Sequence, residues 1–224
     1  MHDERWSREV LPGFIVFEGL DGAGTTTQAK HLVDLYGGSR EAVFTWEPTA
    51  FATGRVIREL LSGPEQVQPE TLALLFAADR SEHLNRPGEG IRALLAEGKV
   101  VVCDRYLFSS LAYQGALADR ELVERLNAPF PLPAHLVFID TPLEEAYRRM
   151  ETRQTLDRKS GDALEQRSVQ EQVAPRYRAV LEMFSRCDAV RRGAMKIHRI
   201  DGSLPREEVL QAILEALGPD APRT

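Results

Sequence analysis

Phosphate chemistry is the first capacity the residues offer. The run Phe14-Ile15-Val16-Phe17-Glu18 leads into Gly19-Leu20-Asp21-Gly22-Ala23-Gly24-Thr25-Thr26-Thr27. Gly19 and Gly24 have the spacing of a P-loop, with Thr25 where that pattern carries lysine. Glycines let main-chain N–H groups turn inward, and a helix starting near Thr26 adds the positive end of its dipole. Residues 19–27 can therefore hold a polyphosphate with the backbone alone. Thr26 is placed to reach Mg²⁺ through its hydroxyl. Thr25 cannot bring a lysine's charge to the outer phosphates, and loss of one transition-state donor commonly costs about 2.7 to 4 kcal/mol. Lys30 lies more than a helical turn further on and is expected to point away, so the missing charge is expected from arginines elsewhere. Without a ligand, the same residues read as a glycine-rich strand-to-helix turn.

Other segments pair charge with suitable partners. Asp104-Arg105 follows Val100-Val101-Val102-Cys103, at the end of a predicted strand where open α/β sheets bind ligands, and there Arg105 can grip a phosphate. The plain alternative is a surface ion pair. In Leu74-Leu75-Phe76-Ala77-Ala78-Asp79-Arg80, Phe76 and Arg80 share one helical face. An aromatic plate beside a cation suits a nucleobase, although a helical Phe alone reads as core and an Arg as solvated. Glu47-Pro48 follows a predicted strand, and Arg55 and Arg58 follow on an amphipathic helix. The segment 148–159 is rich in arginine: either a solvated basic turn or a set of mobile cations.

These side chains need a frame. Residues 14–18, 42–45, 100–103, 136–140 and 196–200 are short apolar or β-branched runs, separated by segments with helical periodicity. The alternation, with strands apolar on both faces, predicts a five-stranded parallel sheet in a three-layer α/β/α sandwich. Helices are expected over 26–36, 53–61, 69–85, 108–117, 142–152, 162–184 and 205–217, with a break at Pro87-Gly88. The length of 224 residues suits one domain, residues 13–218, between a polar tail 1–12 and a frayed end 219–224. With 28 basic against 34 acidic residues and neither sign gathered in a block, broad nucleic-acid binding is not expected. No membrane span or leader is read, so a cytoplasmic protein is expected. Cys103 and Cys187 read as buried free thiols, and the scattered histidines give zinc little to build on.

From near its start to its end the chain resembles the thymidylate kinase family. The loop departs from the family form mainly at Thr25, and Asp104-Arg105-Tyr106-Leu107-Phe108-Ser109-Ser110-Leu111-Ala112-Tyr113-Gln114 closely matches the family's second signature. The resemblance implies a P-loop NTPase fold, transfer of a phosphoryl group from Mg-ATP to dTMP, and a homodimer. It implies ATP on Gly19, Leu20, Asp21, Gly22, Ala23, Gly24, Thr25, Thr26 and Thr27, with the metal at Thr26 and, through water, Asp104. The acceptor dTMP would meet Asp21, Glu47, Pro48, Arg58, Phe76, Arg80, Arg105, Ser110, Tyr113 and Gln114. Phe76 would stack on the base, Arg80 donate to a base carbonyl, Tyr113 stand where a ribose 2′-OH would sit, and Asp21 orient the sugar. Arg105, together with Arg153 and Arg158 of a lid around 149–162, would supply catalytic charge. Trp46 replaces the family's arginine before Glu47-Pro48. Two other readings stay open: a kinase for another pyrimidine deoxynucleoside or its monophosphate, and a catalytically weak nucleotide-binding relative.

Overall fold

The structure is a computed structural model describing residues 6, 9–37, 41–64, 67–157 and 163–221, without the side chains of 153–157 and 163–166. Among these residues, five parallel strands form one sheet in the order β2-β3-β1-β4-β5. They are β1 (Val10–Gly19), β2 (Ala42–Trp46), β3 (Val100–Asp104), β4 (Leu132–Asp140) and β5 (Lys196–Asp201). The helices are α1 (Thr25–Tyr36), α2 (Ala52–Ser62), α3 (Pro69–Asn85), α4 (Ile91–Ala96), α5 (Leu107–Leu117) and α6 (Arg120–Asn127). After β4 come α7 (Leu143–Asp157), α8 (Ala163–Ser185), α9 (Asp188–Arg191) and α10 (Arg206–Leu217).

β3 is buried along its whole length because helices cover both faces, which is why its sequence does not alternate. On one face Phe14, Val16, Val101 and Leu136 pack with Leu111 of α5 and Tyr177 and Phe184 of α8. On the other, Ile15, Phe17, Val102 and Val137 pack with Leu32 of α1 and Ile213 of α10. This is the expected three-layer sandwich. β1 lies between β3 and β4: the chain leaves β1 for β2 on one side and crosses from β3 to β4 on the other, and this reversal opens a crevice at the carboxyl end of the sheet.

Several boundaries differ from the sequence reading. Val10–Pro12, expected in a tail, belong to β1, where Val10 pairs with Leu132 and Leu11 with Pro133. Trp6 is buried against Phe184, ring centroids 4.7 Å apart. The short helices α4, α6 and α9 were not expected; one or two turns carry too little periodicity to register. Gly218–Asp220, expected to fray, forms a 3-10 turn in which the Asp220 carbonyl accepts from the Tyr36 hydroxyl at 2.6 Å. Pro87-Gly88 breaks the chain between α3 and α4 as expected, and both cysteines are free and buried. Among the described residues no helix is long and apolar enough to cross a membrane.

Candidate active site

The loop after β1 depends on glycine. Gly22 and Gly24 have φ of 83° and 95°, a region that disfavours side chains. A Cβ on Gly22 would also lie 2.4 Å from the Ala146 carbonyl oxygen, because α7 seats directly on the loop. The N–H of Ala23 donates to the Leu20 carbonyl at 3.0 Å and that of Asp21 to Gln170 Oε1 at 3.3 Å. The amides of Thr25, Thr26 and Thr27 open α1 and have no partner within the helix. Leu20 and Thr25 turn their side chains inward, 6% and 5% exposed, whereas Thr26 and Thr27 face out. Lys30 places its ammonium 5.3 Å from the Phe44 ring centre, away from the loop as expected.

Pairing of β1 with β3 sets Phe17 beside Asp104, which brings Asp104 to the loop. The Thr26 hydroxyl donates to Asp104 Oδ2, and Asp104 Oδ1 is buried with no hydrogen-bond partner. An orphaned carboxylate oxygen beside a hydroxyl is a hard-oxygen donor set, which fits a Mg²⁺ that keeps several waters.

Arg105 is the described non-glycine residue with positive φ, 69°, a conformation that costs of order 1–3 kcal/mol and marks function when the surroundings enforce it. Its Nη2 donates to Asp21 Oδ1 at 2.5 Å. Its Nη1 reaches the Gly19 carbonyl and Ser109 Oγ, both at 3.1 Å, and the guanidinium stands 5.3 Å from the Tyr113 ring centre. Glu18 enforces the turn from below. Its fully buried carboxylate accepts the N–H of Tyr106 at 2.9 Å and of Ser109 at 3.1 Å, with hydroxyls of Ser109 at 2.6 Å and Tyr177 at 2.9 Å. Burial pushes its pKa up to about 7, against the opposing pull of Arg105 and these donors. Sequence reading treated Glu18 only as a strand end; an acid closing an apolar run was the available signal.

A cavity of about 280 Å³ opens beside Arg105. Asp21, Glu47, Pro48, Phe76, Arg80, Arg105, Ser110, Tyr113 and Gln114 line it, so all but one of the residues expected to meet the acceptor converge there. Arg80 is 1% exposed, donating to Glu47 Oε2 at 2.7 Å, Ser110 Oγ at 3.1 Å and Asn127. Its Nε is buried and unpartnered. Glu47 Oε1 meets His83 Nδ1 at 3.1 Å.

The exception is Arg58. It is not among the lining residues; its Nη1 donates to the carbonyls of Pro48 at 2.7 Å and Thr49 at 2.6 Å, so it braces the loop rather than facing the cavity. Trp46 is 41% exposed and stacks on Phe44 with ring centroids 5.6 Å apart. Asp79 was missed by sequence reading. Fully buried, it accepts the Thr49 N–H at 2.8 Å and the hydroxyls of Thr49 at 2.7 Å and Thr53 at 2.6 Å, tying the Glu47-Pro48 loop to α3. Its place beside Arg80 in a helix was the hint.

Arg153 falls in α7 with its side chain outside the described residues, and Arg158 lies outside them altogether. Arg148 and Arg149 both pair with Glu145 at 2.7 Å, and Arg149 Nη2 also reaches the Gly202 carbonyl at 2.9 Å.

The family model for thymidylate kinase matches residues 17–213. A Treponema pallidum relative carrying the thymidylate kinase name is 40% identical over 210 residues, covering 93% of this chain and 96% of its own. Relatives with that name in Pyrococcus abyssi and Methanococcus maripaludis are 37% and 35% identical over 206 and 207 residues. They cover 88% and 91% of this chain and 97% and 96% of their own lengths.

Proposed function

Because the chain belongs to the thymidylate kinase family, we propose how its own residues divide the transfer of a phosphoryl group from ATP to dTMP. It is an ATP-dependent kinase with the P-loop NTPase fold, and ATP and dTMP are its substrates. The ATP phosphates rest on the loop 19–27, chiefly on the amides of Thr25, Thr26 and Thr27. Thr26 and Asp104 would hold Mg²⁺. The metal, when bound, neutralises charge on the outer phosphates.

dTMP fills the cavity with its base between Phe76 and Arg80 and its sugar against Tyr113 and Asp21, while Ser110 and Gln114 complete the wall. An oxygen of the acceptor phosphate attacks the γ-phosphorus, the bond to the ADP oxygen breaks, and no protein nucleophile takes part. Arg105 stands where the two substrates meet, and Arg153 and Arg158, in a lid around 149–162, bring the charge that Thr25 lacks. Positioning and charge account for most of such catalysis.

The observation that carries this reading is Arg105, held with positive φ between the loop's Gly19 carbonyl and Asp21 on one side and the acceptor cavity on the other. Residues 10–220 act as one domain in the cytoplasm, without nucleic acid. Exposed Val56 and Leu74 on α2 and α3 support pairing with a second copy, which light scattering measures directly.

The test is ADP formation by purified protein with Mg-ATP and dTMP, beside dUMP, thymidine and no acceptor, repeated on Thr25→Lys and Arg153→Ala. Turnover that depends on dTMP and collapses in Arg153→Ala is expected. Turnover that arises only in Thr25→Lys would make the native chain a binding protein and overturn the proposal.

A further inference from the structure

Gln170 of α8 is 3% exposed and lies far in sequence from everything it touches. Its Nε2 donates to Asp21 Oδ2 at 2.6 Å and reaches the Tyr113 hydroxyl at 3.1 Å. Its Oε1 lies 3.3 Å from both the Asp21 N–H and the Tyr113 hydroxyl. An ionised carboxylate only accepts, so the amide nitrogen must face Asp21 Oδ2, and the carbonyl oxygen is then the end that receives the Asp21 N–H. Both ends of one carboxamide are thus committed to the same two residues.

Asp21 consequently has each carboxylate oxygen held, Oδ1 by Arg105 and Oδ2 by Gln170. Its side chain is 47% exposed, so without the second donor Oδ2 would turn to solvent and only the Arg105 bond would hold the carboxylate. Tyr113 faces Arg105 through its ring and Gln170 through its hydroxyl; burial pushes its pKa upward and keeps the phenol protonated. Asp21, Arg105 and Tyr113 all line the acceptor cavity, while Gln170 is not among its lining residues.

We propose that Gln170 is a positioning residue that locks Asp21 of the phosphate loop and Tyr113 of the acceptor pocket into one geometry. It touches neither substrate and acts through those two side chains. The inference rests on the placement of dTMP in this cavity and adds the element that ties the two halves of the site together. Leucine at 170 would keep the volume and lose every bond. Glutamate would keep the shape but face Asp21 with a second carboxylate, against which Arg105 is the neighbouring cation. Glutamate can donate to Asp21 only while it holds a proton.

The experiment measures kcat and KM for dTMP and for ATP in wild type, Gln170→Leu and Gln170→Glu between about pH 6 and about pH 8. In Gln170→Leu, kcat/KM for dTMP is expected to fall about tenfold or more, the worth of a hydrogen bond to a charged group, with the ATP KM unchanged. In Gln170→Glu the activity relative to wild type should fall as pH rises, while the relative activity of Gln170→Leu stays flat. A dTMP kcat/KM unchanged in Gln170→Leu overturns the inference. So does a loss shared equally by ATP and dTMP with a pH-independent Gln170→Glu, since that marks packing alone. A wild-type protein that does not turn over dTMP refutes the assigned function instead. The ratio of dTMP dissociation constants of wild type and Gln170→Leu, read by calorimetry, then decides the role of Gln170 without turnover.

Discussion

The two halves of the proposed site, the loop 19–27 for the phosphate donor and the cavity beside Arg105 for the acceptor, are built on different principles. On the acceptor side, buried charged and polar groups meet inside the protein: Arg80 with Glu47, Glu47 with His83, and Asp79 with Thr49 and Thr53. On the donor side the loop offers main-chain amides, glycine turns and small hydroxyls, and the cation bonded to it among the described residues is Arg105. A pocket that discriminates between bases profits from polar groups fixed in advance, because a mismatched ligand leaves them unpaired. A polyphosphate carries its own charge and needs mainly a concave array of N–H groups. Rigidity is therefore concentrated on the acceptor side, and Arg105 and Gln170 join the two.

Substitutions sharpen this contrast, beginning with the largest effect. Arg80→Ala leaves Glu47 buried without its cation and should destabilise the fold by about 4 kcal/mol. Chemical denaturation measures it, and Arg80→Lys should recover only part because the fork geometry is lost. Asp79→Ala strands one amide and two hydroxyls, for an expected cost of about 3 kcal/mol and a raised KM for dTMP with little change for ATP. Equal changes in both KM values would break the division drawn here.

The junction between the halves should respond to pH. The fold raises Glu18 from 4.5 to about 7, so in that window the native state keeps a proton that the unfolded chain has released. Stability from this group is fully present below 4.5 and falls as pH rises toward 7. The stability of wild type relative to Glu18→Gln should accordingly decline by roughly 2 to 3 kcal/mol across the window, as followed by urea titration at each pH.

On the donor side, Gly22→Ala sets a methyl against the Ala146 carbonyl in a positive-φ residue. It should cost about 2 kcal/mol and raise the ATP KM while sparing dTMP affinity measured by calorimetry. Trp46→Ala, at the rim of β2, should shift the melting midpoint by less than the equivalent of about 0.5 kcal/mol. A larger shift would mean that the exposed stack on Phe44 belongs to the acceptor frame after all.

Much of this site was legible because its chemistry is local. A glycine-spaced loop between an apolar strand and a helix needs no distant partner to be recognised, nor does Asp104-Arg105 at the end of β3. Phe76 and Arg80 were legible through helical spacing. Less legible were residues whose meaning depends on what faces them. Arg58 has the composition of a phosphate ligand, yet two carbonyls ten and nine residues before it occupy its Nη1. Glu18, Asp79 and Gln170 read as ordinary positions because their partners arrive from other elements.

The sequence by itself determined the chain order of the strands and of the longer helices, the place of the glycine-spaced loop and most of the residues that line the cavity, since periodicity, turn chemistry and short spacings are properties of neighbouring residues. Tertiary structure alone decided that Glu18 underpins Arg105, that Asp79 anchors the loop after β2, that Arg58 turns to the backbone and that Gln170 spans the two halves. Those outcomes rest on contacts between distant segments, such as the 149 residues separating Gln170 from Asp21. They exist only once parallel pairing has brought the carboxyl ends of β1, β2 and β3 side by side.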